Sequence, residues 1–455
     1  MVKRRILSAM LCAATVFGAI SLQGCGKSEA KSGEITLMIF AQPQEKEILD
    51  QVVARFEKNH PGTKVNFISS TQAEYGQKLQ AQLAANSLPD VFYLGPGDVR
   101  MYVDNKKVLD LSQYVQNVEG VDFGDLYENA VDTYRYDGKS LGEGSAIWAL
   151  PKDFGPFAFA YNKTMFKDAG VPLPSTEEPY TWKEFMDVCE KLTVDVDGDG
   201  EADKFGTGLN PRWALIQFIW GNGADFIDKT GTKVTITDPK FVEALQFWAN
   251  MTVGGTKLDG KTYAAVTPSA AQSQSLDTYQ RWLKGDLAFF PAGPWDLAAF
   301  NKTLQFEYDL IPWPVHEDRS MTATYRGGVG YAVAANSKNP KAAAELALYL
   351  SADKEANTMY CDLDLQIPNL KSLAERYTSK GKPENRQEFL NIISKTGRSW
   401  PSDNTYTSDW FEEFFVSVQK VIDGTMSAQE YCESIQPKMQ DKLDKGLAKA
   451  KKTQK

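Results

Sequence analysis

The sequence contains little histidine, little cysteine and fewer basic than acidic residues. His60 and His316 are the only histidines among 455 residues. A metal site built from several histidines is therefore excluded, and a Ser-His-Asp triad would have to use one of these two. The formal net charge of −9 argues against a nucleic-acid partner, because phosphate binding needs clustered Lys and Arg.

Cysteine is too scarce to indicate a disulfide framework. Of five cysteines, Cys12 and Cys25 lie in the N-terminal segment, which leaves Cys189, Cys361 and Cys432. An odd number does not pair completely, although one bridge remains open. Because free Cys packs as a small hydrophobe, we expect three buried thiols.

Beyond the N-terminal segment, the chain has no uninterrupted apolar run of eighteen residues, so no membrane-spanning helix is expected there. The N-terminal segment itself has the pattern of a secretory signal, with basic residues 3–5 followed by the mostly apolar residues 6–20. It ends in Leu22-Gln23-Gly24-Cys25, which resembles a bacterial lipobox. We therefore predict a lipoprotein signal peptide over 1–24, a lipid on Cys25, and a short polar tether over 25–33.

The remaining composition is that of a globular protein. Hydrophobic residues make up 42% and charged residues 24% of the chain, and the length predicts about three domains or two large ones. Apolar runs at 35–40, 65–68 and 91–94 are typical of strands, and the segments between them carry apolar residues at helical spacing. This alternation predicts an α/β fold with a parallel sheet, in which ligands bind beyond the carboxyl ends of the strands.

Several helix starts are marked by capping residues. Thr181 with Glu184, and Ser427 with Glu430, have the spacing of capping boxes. Asp238 and Asn339 each precede a proline. Proline suits the first position of a helix, where a backbone N–H has no partner within the helix, so we predict that the Asp and Asn side chains cap these helices.

A series of short motifs resembles the bacterial extracellular solute-binding proteins of the maltose-binding type (family 1). The motifs are spread in order over most of the chain after residue 88. They are "PDV" (Pro89-Asp90-Val91), "LP…YNK..F..AG" (150–170), "G..A…GPW" (285–295) and "GG.G.AV…NP" (327–340).

This resemblance implies a periplasmic-binding-protein-like fold of two α/β lobes, joined by a multi-segment hinge, with the ligand in the cleft between them. The expected first lobe comprises 34–153 and 331–370, and the expected second lobe comprises 154–330 and 371–455. Closure of the lobes is the motion that the resemblance implies.

The chemistry of sugar binding selects the candidate ligand residues, because flat rings cover the apolar faces of a pyranose while carboxylates and amides accept from its hydroxyls. Carried over from the family pattern, or placed at the cleft mouth, the candidates are Phe40, Gln42, Asp98, Asp153, Trp295, Arg326 and Trp410. Trp213, Trp220 and Trp400 are weaker candidates, since a Trp in a large domain is more often part of the core.

An acidic loop at residues 195–203 resembles a calcium-binding loop. Oxygens at alternate positions suit a hard cation, and a glycine stands where the tight turn is needed. The expected ligands are Asp195, Asp197, Asp199, Glu201 and Asp203. The glutamate that closes the standard loop is missing, because that position is Gly206, so an ordinary acidic turn remains open.

The function implied is that of a monomeric, lipid-anchored solute-binding protein at the outer face of the cell membrane. It would capture a carbohydrate, in particular an oligosaccharide, and deliver it to the permease subunits of an ABC importer. No enzymatic activity and no required cofactor are expected, structural calcium aside. The alternatives are the same fold binding a polyamine or other small polar solute, and a surface glycoside hydrolase, which would need two carboxylates facing each other across a cleft.

Overall fold

The computed structural model describes residues 33–116, 118, 120–153, 155–318 and 323–453. The predicted signal peptide, Cys25 and the tether up to residue 32 lie outside the described residues. Within the described part of the chain, no helix has both the length and the apolar character that crossing a membrane requires.

The strands are short, and most of them form two separate sheets. In chain order they are β1 (Glu34–Phe40), β2 (Lys64–Ser70), β3 (Val91–Leu94), β4 (Leu150–Pro151), β5 (Gly155–Pro156), β6 (Ala158–Asn162), β7 (Phe205–Thr207), β8 (Lys257–Leu258), β9 (Lys261–Thr262), β10 (Leu287–Ala292), β11 (Tyr308–Ile311), β12 (Thr324–Gly327), β13 (Gly330–Val333) and β14 (Gly397–Arg398).

Helices occupy more of the described chain than strands do. They are α1 (Pro43–Asn59), α2 (Gln72–Ala84), α3 (Val99–Asp104), α4 (Glu128–Asp132), α5 (Lys163–Asp168), α6 (Trp182–Leu192), α7 (Pro211–Gly221), α8 (Pro239–Val253), α9 (Ala270–Ser275), α10 (Thr278–Lys284), α11 (Leu297–Thr303), α12 (Pro340–Ala352), α13 (Lys354–Asp362), α14 (Ala374–Thr378), α15 (Gln387–Asn391), α16 (Asp409–Phe415), α17 (Gln419–Ile422) and α18 (Ala428–Thr453). Single 3₁₀ turns lie at Pro96–Asp98, Phe123–Asp125, Pro294–Asp296, Lys371–Leu373 and Pro401–Asn404.

Two sheets organise the molecule. The first has the strand order β2-β1-β3-β13-β4, with β1 parallel to β2 and β3 and with β13 antiparallel to its neighbours. The second has the order β11-β6-β10-β7. We call the part built on the first sheet the first lobe and the part built on the second sheet the second lobe. The predicted α/β fold is confirmed.

Each sheet lies inside a core of its own. The core around the first sheet is drawn from residues 35–150 and 331–373. On the second sheet, Phe159 and Tyr161 of β6 pack into one core, while Ala158 and Ala160 pack into another. Successive side chains of a strand point to opposite faces, so the second sheet is covered on both sides. The predicted boundaries of the lobes, at residues 153, 330 and 370, stay a prediction.

Three of the four predicted helix caps are confirmed. Thr181 and Glu184 exchange hydrogen bonds as a capping box, Ser427 and Glu430 do the same, and the Asp238 carboxylate accepts from Lys240 N. The prediction for Asn339 was wrong in its mechanism. Helix α12 does begin at Pro340, but the Asn339 amide donates instead to the carbonyl of Glu34 in β1.

The three cysteines of the described chain are free and buried, as expected. Each thiol has a raised pKa because burial disfavours the thiolate. They therefore act as small core residues rather than as reactive groups.

Candidate functional site

The chain passes between the lobes at a third, small sheet. Its strand order is β14-β12-β5, with Gly155 opposite Gly327 and Pro156 opposite Arg326. Three distant parts of the sequence therefore meet at the junction of the two lobes. This junction lies at the base of the cleft between the lobes.

A cluster of five aromatic side chains lies in the second lobe beside this junction. We call it the aromatic wall, and its members are Phe157, Trp213, Trp295, Tyr325 and Trp400. The centroids of the Tyr325 and Trp400 rings are 4.0 Å apart, and the Phe157 ring lies 5.2 Å from Trp295 and 5.8 Å from Trp213. The phenyl ring of Phe157 thus connects two tryptophans into one continuous surface.

Arg212 supports the aromatic wall from behind. Its guanidinium carbon lies 4.5 Å from the centroid of the Trp400 ring and 5.4 Å from that of Trp213, within the range of a cation–π contact. An ion pair of 2.6 Å joins Arg212 to Glu412 on α16. Because the Arg212 side chain touches both tryptophans and is fixed by Glu412, it holds the rings in place.

The indole of Trp295 lies flat over the backbone that precedes it. A Cβ atom built on Gly293 would lie 2.2 Å from the indole, so a side chain at position 293 would displace the ring. Trp295 remains half-buried, and its benzene edge approaches Gly155 at the junction. The structure therefore places this predicted ligand residue at the junction of the lobes with part of its ring open to solvent.

The first lobe contributes polar groups and one aromatic ring. Phe40 ends β1 half-buried, with its ring edge-on to Tyr75 and Tyr93 at 5.4 and 5.2 Å. Gln42 follows at the start of α1, is exposed, and does not cap the helix with its side chain. Phe40 and Gln42 thus lie at the carboxyl end of β1, where the predicted fold places a ligand.

Asp98 ends the turn after β3 and faces the second lobe. A Cβ atom built on the neighbouring Gly97 would lie 3.2 Å from Oδ1 of Asp403, which belongs to the Pro401–Asn404 turn of the second lobe. The Asp98 side chain is still exposed to the cleft, but the surrounding protein removes bulk water and raises its pKa to about 6. Desolvation, together with the charge of Asp98, raises the pKa of Asp403 to about 7.

Asp153 is held in an ion-pair network rather than pointing freely into the cleft. Its carboxylate lies 2.7 Å from Nζ of Lys152, and the same Nζ lies 3.0 Å from Oε1 of Glu45. Burial acts to lower the pKa of Lys152, but the two carboxylates outweigh it and raise that pKa well above its usual value. Asp153 is 8% exposed, and its carboxylate neutralises the charge of Lys152 where the chain crosses between the lobes.

Arg326 and Asp153 line the same small cavity at the junction. The cavity has a volume of about 10 Å³ and is also lined by Pro96 and Tyr134 of the first lobe and Ser399 of the second. That is room for about one water molecule. A sugar ring therefore enters this region only if the lobes separate.

A larger cavity of about 440 Å³ lies elsewhere in the second lobe, between the start of α7 and the end of α8. Its one tryptophan, Trp248, is buried in the core. This cavity lacks an exposed ring face and draws on one lobe alone, so the cleft is the stronger candidate for the ligand site.

Trp410 does not belong to the cleft, which corrects its choice as a ligand residue. The ring is fully buried, and its indole N–H donates to Oγ1 of Thr405 over 2.9 Å. The apolar face of α16 packs into the second-lobe core, and Trp410 shares that face with Phe411 and Phe414. Trp220 is buried in the same way and donates to Asp225.

Asp403 is the cleft residue that the sequence did not single out. Of the two weaker candidates in the aromatic wall, Trp213 is half-buried, whereas Trp400 is 8% exposed and packs into the second-lobe core. Trp213 follows the cap formed by Asn210 and Pro211, and Asp403 follows Pro401 in a turn. A turn next to an aromatic residue was the sequence signal that could have identified these positions as cleft residues, as it did for Trp295.

The Asp-rich loop is exposed and brings three of its five predicted ligands together. Carboxylate oxygens of Asp195, Asp197 and Asp203 lie within 4.8 Å of one another. Asp199 and Glu201 are not part of this group. The Asp195 carboxylate accepts hydrogen bonds from the N–H groups of Gly198 and Gly200. Calcium binding by this loop stays a prediction.

Two lobes of α/β structure, with an aromatic wall on one side of a cleft and carboxylates on the other, define a solute-binding protein. A family model described as bacterial extracellular solute-binding protein matches residues 41–357. The match covers more than half of the chain, and the chain belongs to this family.

Among its relatives, the galactooligosaccharide-binding protein of Bacillus subtilis is 25% identical over 374 residues, covering 80% of each chain. The protein YcjN of Escherichia coli is 25% identical over 261 residues, and the match covers just over half of that protein's length, 55%. Among solved structures, an ABC substrate-binding protein from Listeria monocytogenes in complex with cycloalternan has a TM-score of 0.78 at 24% identity. That match covers 90% of this chain and 99% of the other, and it shows a shared fold.

Proposed function

We propose that this protein is the substrate-binding component of an ABC importer and that it captures an oligosaccharide between its two lobes. The observation that carries the proposal is the aromatic wall beside the junction. The half-buried rings of this wall, Phe157, Trp213 and Trp295, suit the apolar faces of sugar rings, while Tyr325 and Trp400 pack behind them in the core. The carboxylates and amide of the first lobe suit the sugar hydroxyls. The names of the Bacillus and Listeria proteins, which bind galactooligosaccharides and cycloalternan, support a sugar ligand.

The mechanism is capture followed by closure. An oligosaccharide that touches both the aromatic wall and the first lobe has a higher affinity for the closed arrangement, and this difference shifts the population toward it. The closed monomer is then the form that the permease subunits recognise. No bond is made or broken, and chromatography of an oligosaccharide after long incubation with the protein should return it unchanged.

A lipid on Cys25 would hold the binding protein next to its permease at the outer face of the membrane. Support comes from the sequence Leu22-Gln23-Gly24-Cys25 and from the extracellular character of the family. Cys25→Ser should release the protein from the membrane fraction of expressing cells. Retention of the variant at the membrane would contradict the anchor.

The proposed function is tested by a thermal shift and calorimetry panel of galactooligosaccharides, cycloalternan, maltotriose and spermidine. A ligand that binds only the folded state raises the melting temperature. We expect stabilisation by at least one oligosaccharide and none by spermidine. Spermidine is included because Asp98 and Asp403, which form no ion pair with a Lys or Arg among the residues that the structure describes, would also suit a polyamine. If spermidine alone raised the melting temperature, the ligand would be a polyamine and not a sugar.

A further inference from the structure

The two lobes touch through a pair of turns. The Pro96–Asp98 turn follows β3 in the first lobe, and the Pro401–Asn404 turn precedes α16 in the second. A Cβ atom on Gly97 would lie 3.2 Å from Oδ1 and 3.7 Å from Cα of Asp403, and 3.9 Å from the carbonyl oxygen of Ser402. The absence of a side chain at position 97 is what lets the turns come this close.

The contact brings two carboxylates toward each other from opposite lobes. Within the described part of the chain, neither Asp98 nor Asp403 forms an ion pair with Lys or Arg, whereas Lys152 and Arg212 already have acidic partners. Both Asp pKa values are raised because water has been removed from around them. The Asp403 carboxylate accepts a hydrogen bond from the backbone of Trp400, and within the described residues no side chain donates to Asp98 or Asp403. A ligand that supplies further donors between the two carboxylates would therefore stabilise the closed arrangement.

We propose that Asp403 is a ligand-binding residue of the second lobe, and that it and Asp98 together accept hydrogen bonds from adjacent hydroxyls of one sugar ring. This inference rests on the proposed function, since it names the part of an oligosaccharide that the site recognises. Trp400 precedes Asp403 by three residues, and the centroid of its buried ring lies 6.0 Å from that of the half-buried Trp213. The sugar ring that donates to Asp403 can therefore stack on the half-buried rings of the aromatic wall. A neutral ring with two free neighbouring hydroxyls is thus the group that the turns select.

The test uses the oligosaccharide of the panel that binds the wild-type protein most tightly. Its dissociation constant is measured by calorimetry for Asp98→Asn, Asp403→Asn and the double variant. Hydrogen bonds to charged groups contribute enough that we expect each single variant to bind about tenfold or more weakly. Because the two carboxylates share one ring, the double variant should lose less than the product of the single losses.

Asp409→Asn is the matched control for charge. Asp409 is exposed on the same C-terminal segment as Asp403 but lies at the start of α16. We expect its dissociation constant to stay within a factor of two of the wild type. If Asp403→Asn stays within that range as well while the wild type binds, the inference is overturned and the proposed function stands.

Gly97→Ala tests the contact between the turns without changing a charge. The added Cβ would press on Asp403, so we expect weaker binding with little change in the melting temperature of the free protein. Gly95→Ala is the control, because a Cβ there would meet only Oδ2 of Asp98 at 3.7 Å, an ordinary contact. Unchanged affinity in Gly97→Ala would overturn the turn contact as part of the bound state. A wild-type protein that binds none of the oligosaccharides would instead overturn the proposed function and this inference with it.

Discussion

The two sides of the cleft are built from different chemistry. The second-lobe side consists of rings that support one another, with Arg212 behind Trp213 and Trp400. The first-lobe side presents the exposed Gln42 and Asp98 and a single ring, Phe40. Ring stacking depends on area and tolerates many sugars, whereas hydrogen bonding to carboxylates depends on the positions of hydroxyls. We therefore expect the second lobe to supply most of the affinity and the first lobe to supply most of the selectivity.

Trp410→Ala should have the largest effect, and the effect should be on stability alone. Removing a fully buried Trp costs about 3–5 kcal/mol of unfolding free energy, because it loses apolar burial and leaves a cavity. Denaturant unfolding measures this loss, and calorimetry on the folded fraction should show unchanged sugar affinity. A variant with normal stability and weakened binding would return Trp410 to the ligand site.

Trp295→Ala should weaken sugar binding by about 1–3 kcal/mol, because a stacked ring face is lost. Trp295→Phe keeps a smaller face and should lose less. Calorimetry gives the affinities, and thermal unfolding of the free protein is the control. If the melting temperature of Trp295→Ala fell strongly while its sugar affinity stayed unchanged, Trp295 would be a core residue and not a ligand residue. The two sides of the cleft would then differ less than we infer.

The ligand-free protein should close more readily at low pH. Asp98 and Asp403 have raised pKa values, about 6 and 7, in the arrangement where the turns touch. The closed arrangement therefore binds protons more tightly than an open one, so protonation of the two carboxylates stabilises closure. This stabilisation is complete below the usual Asp pKa and is lost as the pH rises through 6 and 7. Besides each other, the groups that face Asp403 are Arg212, Tyr134 and Tyr325. Burial raises the pKa of both tyrosines well above its usual value, so neither tyrosine titrates over this range.

Small-angle scattering without ligand measures this pH effect. We expect a smaller radius of gyration near pH 5 than near pH 8, and no such difference in the Asp98→Asn/Asp403→Asn double variant. An equal radius at both pH values in the wild type would show that closure does not depend on these two carboxylates.

Calcium should have the smallest effect and should act far from both sides of the cleft. Millimolar calcium should raise the melting temperature by about one or two degrees if Asp195, Asp197 and Asp203 bind it. Asp197→Asn removes a charge but keeps an acceptor for the N–H of Asp199, so it should abolish the shift without unfolding the loop. Asp168→Asn, an exposed change elsewhere, should leave the shift intact. A calcium shift that persists in Asp197→Asn would contradict the site.

The sequence predicted the elements of this fold better than its cleft. Strands β1 to β3 and the capping boxes at Thr181 and Ser427 depend on neighbouring residues, which the sequence shows directly. The role of Asn339 depended on Glu34, a residue far away in the chain that β1 places beside α12.

The cleft depends on contacts of the same long range. Trp295 and Trp410 both follow turn-forming residues, but Trp410 is buried because α16 packs against the second-lobe core, whereas Trp295 lies beside Gly155 and Phe157 at the junction. Asp403 faces the first lobe only because β14 and the following turn return to the junction. No local sequence pattern shows which aromatic residues these long-range contacts bury. The sequence alone therefore could not distinguish the residues of the ligand surface from those of the core.

The position of β13 has a consequence for how the chain reaches its native state. This strand lies between β3 and β4, yet it follows both in sequence by the whole segment that builds the second sheet. A ribosome therefore releases the first lobe with a gap in its central sheet, and β3 and β4 wait with unpaired edges until residue 333 has emerged. Pairings of such long range form slowly, and open edges invite association with other chains in the meantime. We expect the second lobe, whose sheet strands all lie between 158 and 311, to become protease-resistant first during refolding.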